Sequence, residues 1–104
     1  MTAIVLLPPA QEEMTAAARY YQTQSMGLGT EFLAEVERTI AAIASHPKAA
    51  PKVRQDIRRR LLKRFPFGIL YVAIVDEIVV LAVMHLRRRP GYWQDRLGTS
   101  KQSQ

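Results

Sequence analysis

The chain contains no cysteine. That excludes disulfides, thiolate metal sites and a cysteine nucleophile, and it suits a reducing compartment such as the cytoplasm. Long hydrophobic runs are missing too. The two longest apolar stretches, Ile69–Val75 and Ile78–Met84, are separated by Asp76 and Glu77, and neither approaches the ~20 residues needed to cross a bilayer. No charged stretch leading into an apolar one opens the chain, so no signal peptide is expected. Gly27-Leu28-Gly29 has neither the rest of a phosphate-loop motif nor a strand before it. There is no HExxH, and His46 and His85 lie far apart, so no metal site and no cofactor are expected.

Acidic residues are scarce where they would matter most. Residues 1–50 carry 3 Lys/Arg against 5 Asp/Glu, a net of −2, and residues 51–104 carry 12 against 4, a net of +8. The positive field of this +6 chain therefore belongs to its C-terminal half, and such asymmetry favours an anionic partner.

What is present is enough for one small domain. Apolar residues make up 48 % of 104, so a core can form. Ala3–Leu7 reads as a strand ended by Pro8-Pro9, and proline suits a helix start. From Ala10 to Gln24, Met14, Ala17, Ala18 and Tyr21 fall on one helical face, with Glu12 and Glu13 expected in the first turn as partners of the helix dipole. Ser25–Thr30 breaks that pattern. A second helix follows, with Thr30 as N-cap, Glu31 in its first turn and a stripe of Phe32 or Leu33, Val36, Ile40 and Ile43. Pro47 stops it near His46, whose expected role is to cap the helix end. The short glycine-containing link implies an αα-hairpin.

Lys48–Gln55 reads as a loop. Ile57–Phe65 is a strand with mixed faces, a basic helix being the rival reading. Phe67–Val75 and Ile78–Leu86 are apolar on both faces and read as central strands joined by a tight turn at Asp76-Glu77. Tyr92–Leu97 is expected to form a terminal helical turn, and Gly98–Gln104 a polar tail after a single domain over residues 1–97. The fold class is α+β, β-α-α-β-β-β, with an antiparallel or mixed four-stranded sheet against a helical hairpin.

Chemistry concentrates in two basic clusters: Arg58, Arg59, Arg60, Lys63 and Arg64, and then Arg87, Arg88 and Arg89. If both segments are strands of one sheet, their ends share a face. A solvated basic rim is the bland alternative, but so few neutralising acids favour a binding surface. Tyr92 and Trp93 follow at once. Trp93 either packs into the core or stacks on a ligand, and Tyr92 is expected to be the more exposed. His85, at a strand end, is either a hydrogen-bonded structural group or a general acid–base.

The element order, the phrase Arg59-Arg60-Leu61-Leu62-Lys63-Arg64-Phe65-Pro66-Phe67-Gly68-Ile69-Leu70-Tyr71 and the ending His85-x-Arg87-Arg88-x-Pro90-x-x-Trp93 resemble the RelE/ParE toxin superfamily over about residues 3–97. These are toxins of type II toxin–antitoxin modules, often called plasmid stabilisation proteins. The resemblance implies a cytoplasmic toxin silenced by a cognate acidic, partly disordered antitoxin in a hetero-oligomer, with no membrane partner. It implies a target- or antitoxin-binding surface made of Arg58, Arg59, Arg60, Lys63, Arg64, His85, Arg87, Arg88, Arg89, Tyr92 and Trp93. The ending looks closer to the ParE-like branch, which inhibits DNA gyrase and is not enzymatic. The alternative is a RelE-like, metal-independent mRNA interferase acting on the ribosome, for which Lys63, Arg64 and Arg88 would neutralise phosphate and His85 or Tyr92 would move protons. Leu86 departs from the family pattern, where glycine commonly follows the His. A non-toxic nucleic-acid-binding module is the further alternative.

Overall fold

The computed structural model describes residues 2–96. Its elements are β1 (Ala3–Leu6), α1 (Pro8–Gln24), α2 (Leu28–Ser45), β2 (Lys52–Arg54), β3 (Ile57–Leu61), β4 (Phe67–Ile74) and β5 (Glu77–His85). The strands form one mixed sheet in the order β1-β5-β4-β3-β2. Only β1 runs parallel to its neighbour, pairing Ala3 with Glu77 through Leu6 with Val80. The α+β class and the helical hairpin are as expected, but the sheet has five strands rather than four. The additional strand, β2, lies in the segment expected to be a loop. All three of its residues are exposed, so no apolar alternation marks it.

Other boundaries move for local reasons. Both prolines enter α1 as its first residues, where no N–H is needed. Glu12 and Glu13 consequently fall beyond the first turn and are not dipole partners there. Helix α2 begins at Leu28, not after Thr30, because Gly27 adopts a left-handed conformation (φ +86°) and caps it. Glu31 does sit in the first turn. His46 ends α2 as expected, its backbone N–H donating to Ala42 O at 3.0 Å. Strand β3 stops at Leu61 rather than Phe65, and the hairpin turn is Val75-Asp76, with Ile74 paired to Glu77.

The two faces of the sheet are covered differently. On one face the helices bury Phe32, Val36 and Ile43 against Ile69, Tyr71, Ile78 and Val80, all at most 1 % exposed. An aromatic cluster anchors this layer: Tyr21–Phe65 centroids lie 4.9 Å apart, Phe32–Phe67 5.0 Å and Phe32–Phe65 5.2 Å. Such pairs contribute roughly 0.5–1.5 kcal/mol each beyond area burial. On the other face Ile57, Leu70, Val72, Leu81, Ala82 and Met84 form a second cluster, covered by neither α1 nor α2. Trp93, 5 % exposed, comes back from the C-terminal segment to cover it.

A β-bulge separates the halves of β5. Leu70 pairs with Ala82 and Tyr71 with Val80, leaving Leu81 as the extra residue. The bulge resets the alternation, so Val83 joins the helix-side core and Met84 the opposite one.

Candidate functional site

Residues 86–96 form an arm that continues from β5. Its start is set by the backbone: Leu86 N–H donates to Pro66 O (2.9 Å) and Arg88 N–H to His85 O (3.0 Å). His85 Nδ1 accepts from Arg87 N–H at 3.0 Å, and its ring packs edge-on to Phe67 with centroids 5.0 Å apart. His85 is thus hydrogen-bonded and packed at the base of the arm. Trp93 takes the core-packing alternative. Tyr92 is half-buried and, as expected, the more exposed of the two. The end of the arm is helical at Asp95 and Arg96, while Leu97 and the expected tail lie outside the described residues.

One carboxylate ties the arm down. Glu13 of α1 accepts from Tyr92 Oη (2.5 Å), from Val83 N–H (3.0 Å) and from both terminal nitrogens of Arg96 (3.0 Å each). Arg96 also donates to Leu81 O at 2.8 Å. The Arg96 and Glu13 side chains are only 17 % and 16 % exposed, so this bidentate pair is weakly screened. Burial, and then the bond to Glu13, push the Tyr92 hydroxyl well above the ordinary phenol range. The Arg88 guanidinium lies 4.0 Å from the Tyr92 ring centroid, a cation–π contact that holds it beside the arm. Sequence patterning gave Glu13 only a helix-dipole role and did not single out Arg96.

Arg88 stands between two grooves. The helix-side groove, about 420 Å³, is lined by Glu13, Ala17, Tyr20, Phe67, His85 and Tyr92 among others. The opposite groove, about 310 Å³, has Leu70, Met84 and Trp93 in its floor and Arg54 and Arg59 with Arg88 around it. Gly68 lets the Arg59 stem pass close over β4: a Cβ there would sit 3.1 Å from Arg59 Cγ and Cδ and would push the stem aside by a few tenths of an ångström. Arg87 and Arg89 are exposed, and among the described residues their side chains have no hydrogen-bond or ion-pair partner.

The first basic cluster does not act as one surface. Arg58 points inward, donating to Lys48 O (3.1 Å) and Ala50 O (2.7 Å), beside Tyr71 Oη, which donates to Pro47 O (2.7 Å). It fastens the segment after α2. Arg59 faces the opposite side, because successive strand residues alternate. Arg60, Lys63 and Arg64 line a third cavity of about 270 Å³ on the α2 side, with Arg38. Buried Glu35 turns the chain there by accepting the N–H groups of Lys63 and Arg64, and Arg64 pairs with Glu31 at 2.7 Å. Lys63 and Arg64 therefore line a different cavity from the one holding His85, Arg88 and Tyr92. Among the described residues no group of three His, Cys, Asp or Glu is placed to hold a metal, and no helix is long and apolar enough to cross a membrane.

The family model described as "ParE toxin of type II toxin-antitoxin system, parDE" matches residues 4–90. The chain belongs to the ParE toxin family. It is a type II toxin component. Among solved structures, the chromosomal ParDE toxin–antitoxin system from P. aeruginosa is similar at 16 % identity with a TM-score of 0.59, over 82 % of this chain and 96 % of that one. At that identity the likeness is one of fold. No curated protein matches the sequence. The family match of this ParE-type toxin includes Glu13, His85 and Arg87–Arg89 and ends at Pro90, before Tyr92, Trp93 and Arg96.

Proposed function

We propose that this ParE-family toxin works by binding a protein target through the arm at 86–96 and the sheet face beside it, DNA gyrase being the target that the family resemblance points to. The observation that carries this reading is the presentation of Arg87 and Arg89. They are exposed and unpaired among the described residues, beside an Arg88 stacked on Tyr92. Guanidiniums fixed on a docked segment beside an apolar groove suit a protein surface with acidic and apolar parts. The ribonuclease alternative is less favoured: Lys63 and Arg64 sit away from His85 and Tyr92, and the Tyr92 hydroxyl is committed to Glu13. A phenol held that far above neutrality is a poor general base.

A cognate antitoxin with acidic character, acting in the cytoplasm, is the partner that complements a chain of net charge +6. The α2-side cavity with Arg38, Arg60 and Lys63 is a second basic surface available to it.

Induced expression in a bacterium, followed by radiolabel incorporation, tests the reading. DNA synthesis should stop before protein synthesis; early loss of translation with cleaved messages would transfer the reading to the ribonuclease. Replacing both Arg87 and Arg88 with Ala should leave the fold intact and abolish growth arrest. Arrest at full strength in that variant would remove the arm from the mechanism.

A further inference from the structure

We propose that Glu13 is the positioning residue of the toxin's arm, acting through Tyr92 to set Arg88. The proposal rests on the reading that the arm carries activity, and it adds a residue from α1 that the binding surface does not itself include.

The geometry begins at the edge of the sheet. Strand β1 pairs with β5 only as far as Leu6 and Val80, and Leu7 N–H makes the last bond, to Val80 O at 3.1 Å. Beyond that point β5 would present open backbone groups on this edge. They are taken by side chains instead: Val83 N–H goes to Glu13 and Leu81 O accepts from Arg96. The carboxylate and the guanidinium, themselves paired, replace the missing part of β1 along the bulged half of β5. The same two groups then secure the arm. Arg96 belongs to it, and Tyr92 donates to the Glu13 oxygen that does not accept from Val83.

From Tyr92 the constraint passes to Arg88. The ring lies 4.0 Å from the Arg88 guanidinium and 4.9 Å from that of Arg96. Two cations on one ring repel each other, and the Glu13 carboxylate bonded to Arg96 offsets that repulsion. Removing it weakens this compensation, frees the phenol and opens the edge of β5. Each effect loosens the arm. Among the described residues the Glu13 carboxylate makes four hydrogen bonds, all to β5 or the arm across 70 to 83 residues of sequence. Its place in α1 thus serves the arm and not the helix.

The chain provides its own reporter, because Trp93 is the one tryptophan and is the residue by which the arm is buried against the sheet. The experiment measures acrylamide quenching of Trp93 in purified toxin, and growth arrest after induced expression at matched soluble level. Glu13→Ala should raise quenching roughly severalfold and weaken arrest roughly tenfold or more, the scale of losing a central interface contact. Glu13→Gln keeps an acceptor but loses the ion pair, and should fall between. Tyr92→Phe keeps the ring over which Arg88 stacks and should lose less than Glu13→Ala. If Glu13→Ala does not fold, the other two variants carry the test. A core control, Val36→Ala in α2, should lower Tm without exposing Trp93 or relieving arrest. The proposal is overturned if Trp93 stays as shielded as in the parent when Glu13 is replaced, or if the arm is released and arrest persists. Failure of the underlying reading looks different: Arg87→Ala with Arg88→Ala would then retain arrest while Trp93 remains shielded.

Discussion

The two faces of the sheet are held in different ways. On one, two helices of 17 and 18 residues seal an aromatic core around Phe32 and Phe67. On the other, an apolar cluster relies on one indole, Trp93, brought there by a short arm whose attachment is polar. Apolar layers packed over long helices open only with the whole fold, whereas a short segment fixed by a few hydrogen bonds can open alone at smaller cost. The binding surface proposed above lies on the second kind of attachment. A surface that must meet a partner benefits from residues that are fixed but not sealed in.

The largest effect that separates the faces is on stability. Phe32→Ala should cost about 3–5 kcal/mol in chemical denaturation, the usual range for emptying a core phenylalanine site. Trp93→Ala should cost about 2 kcal/mol, below that range, because the arm can detach without global unfolding. Equal losses would mean that the arm is as integral as the helices, and the contrast would fail. Gly68→Val has a smaller effect on stability, about 1 kcal/mol from forcing the Arg59 stem aside. It should weaken growth arrest if Arg59 belongs to the arm-side groove, and unchanged arrest would confine the site to the arm itself.

The mildest test is alkaline pH. Burial raises the phenol pKa of Tyr21, Tyr71 and Tyr92, and for Tyr92 the bond to Glu13 adds to the effect of burial. A phenol that stays protonated in the folded state, when the unfolded chain would ionise near pH 10, stabilises fully below that value and progressively less as pH climbs towards its folded value. Denaturation midpoints should therefore fall from about pH 10 upward. Tyr92→Phe should flatten that fall, and an unchanged slope would assign the effect to Tyr21 and Tyr71.

Much of this fold was legible from local pattern. Strands β4 and β5 are apolar on both faces, as buried strands must be, and α2 shows one continuous apolar stripe. Strand β2 was not legible, because Lys52-Val53-Arg54 is fully exposed and pairs irregularly with β3. The ending around His85 and Arg87–Arg89 was recognisable as a family motif. The first basic cluster was misleading as a unit. Strand alternation sends Arg59 away from Arg58 and Arg60, and Glu35 turns Lys63 and Arg64 towards α2.

Composition and spacing alone determined the class of this protein: a small cysteine-free α+β domain, basic in its second half, with the motif ending of a toxin family. These properties depend on local propensity and on residues near one another in the chain. Only the tertiary structure decided which cations are left exposed, which are used internally as Arg58 is, and that the Glu13 carboxylate bonds to the arm and β5 rather than to its helix. A carboxylate's partners across 70 or more residues follow from where the sheet ends and the bulge falls, and no local pattern records that.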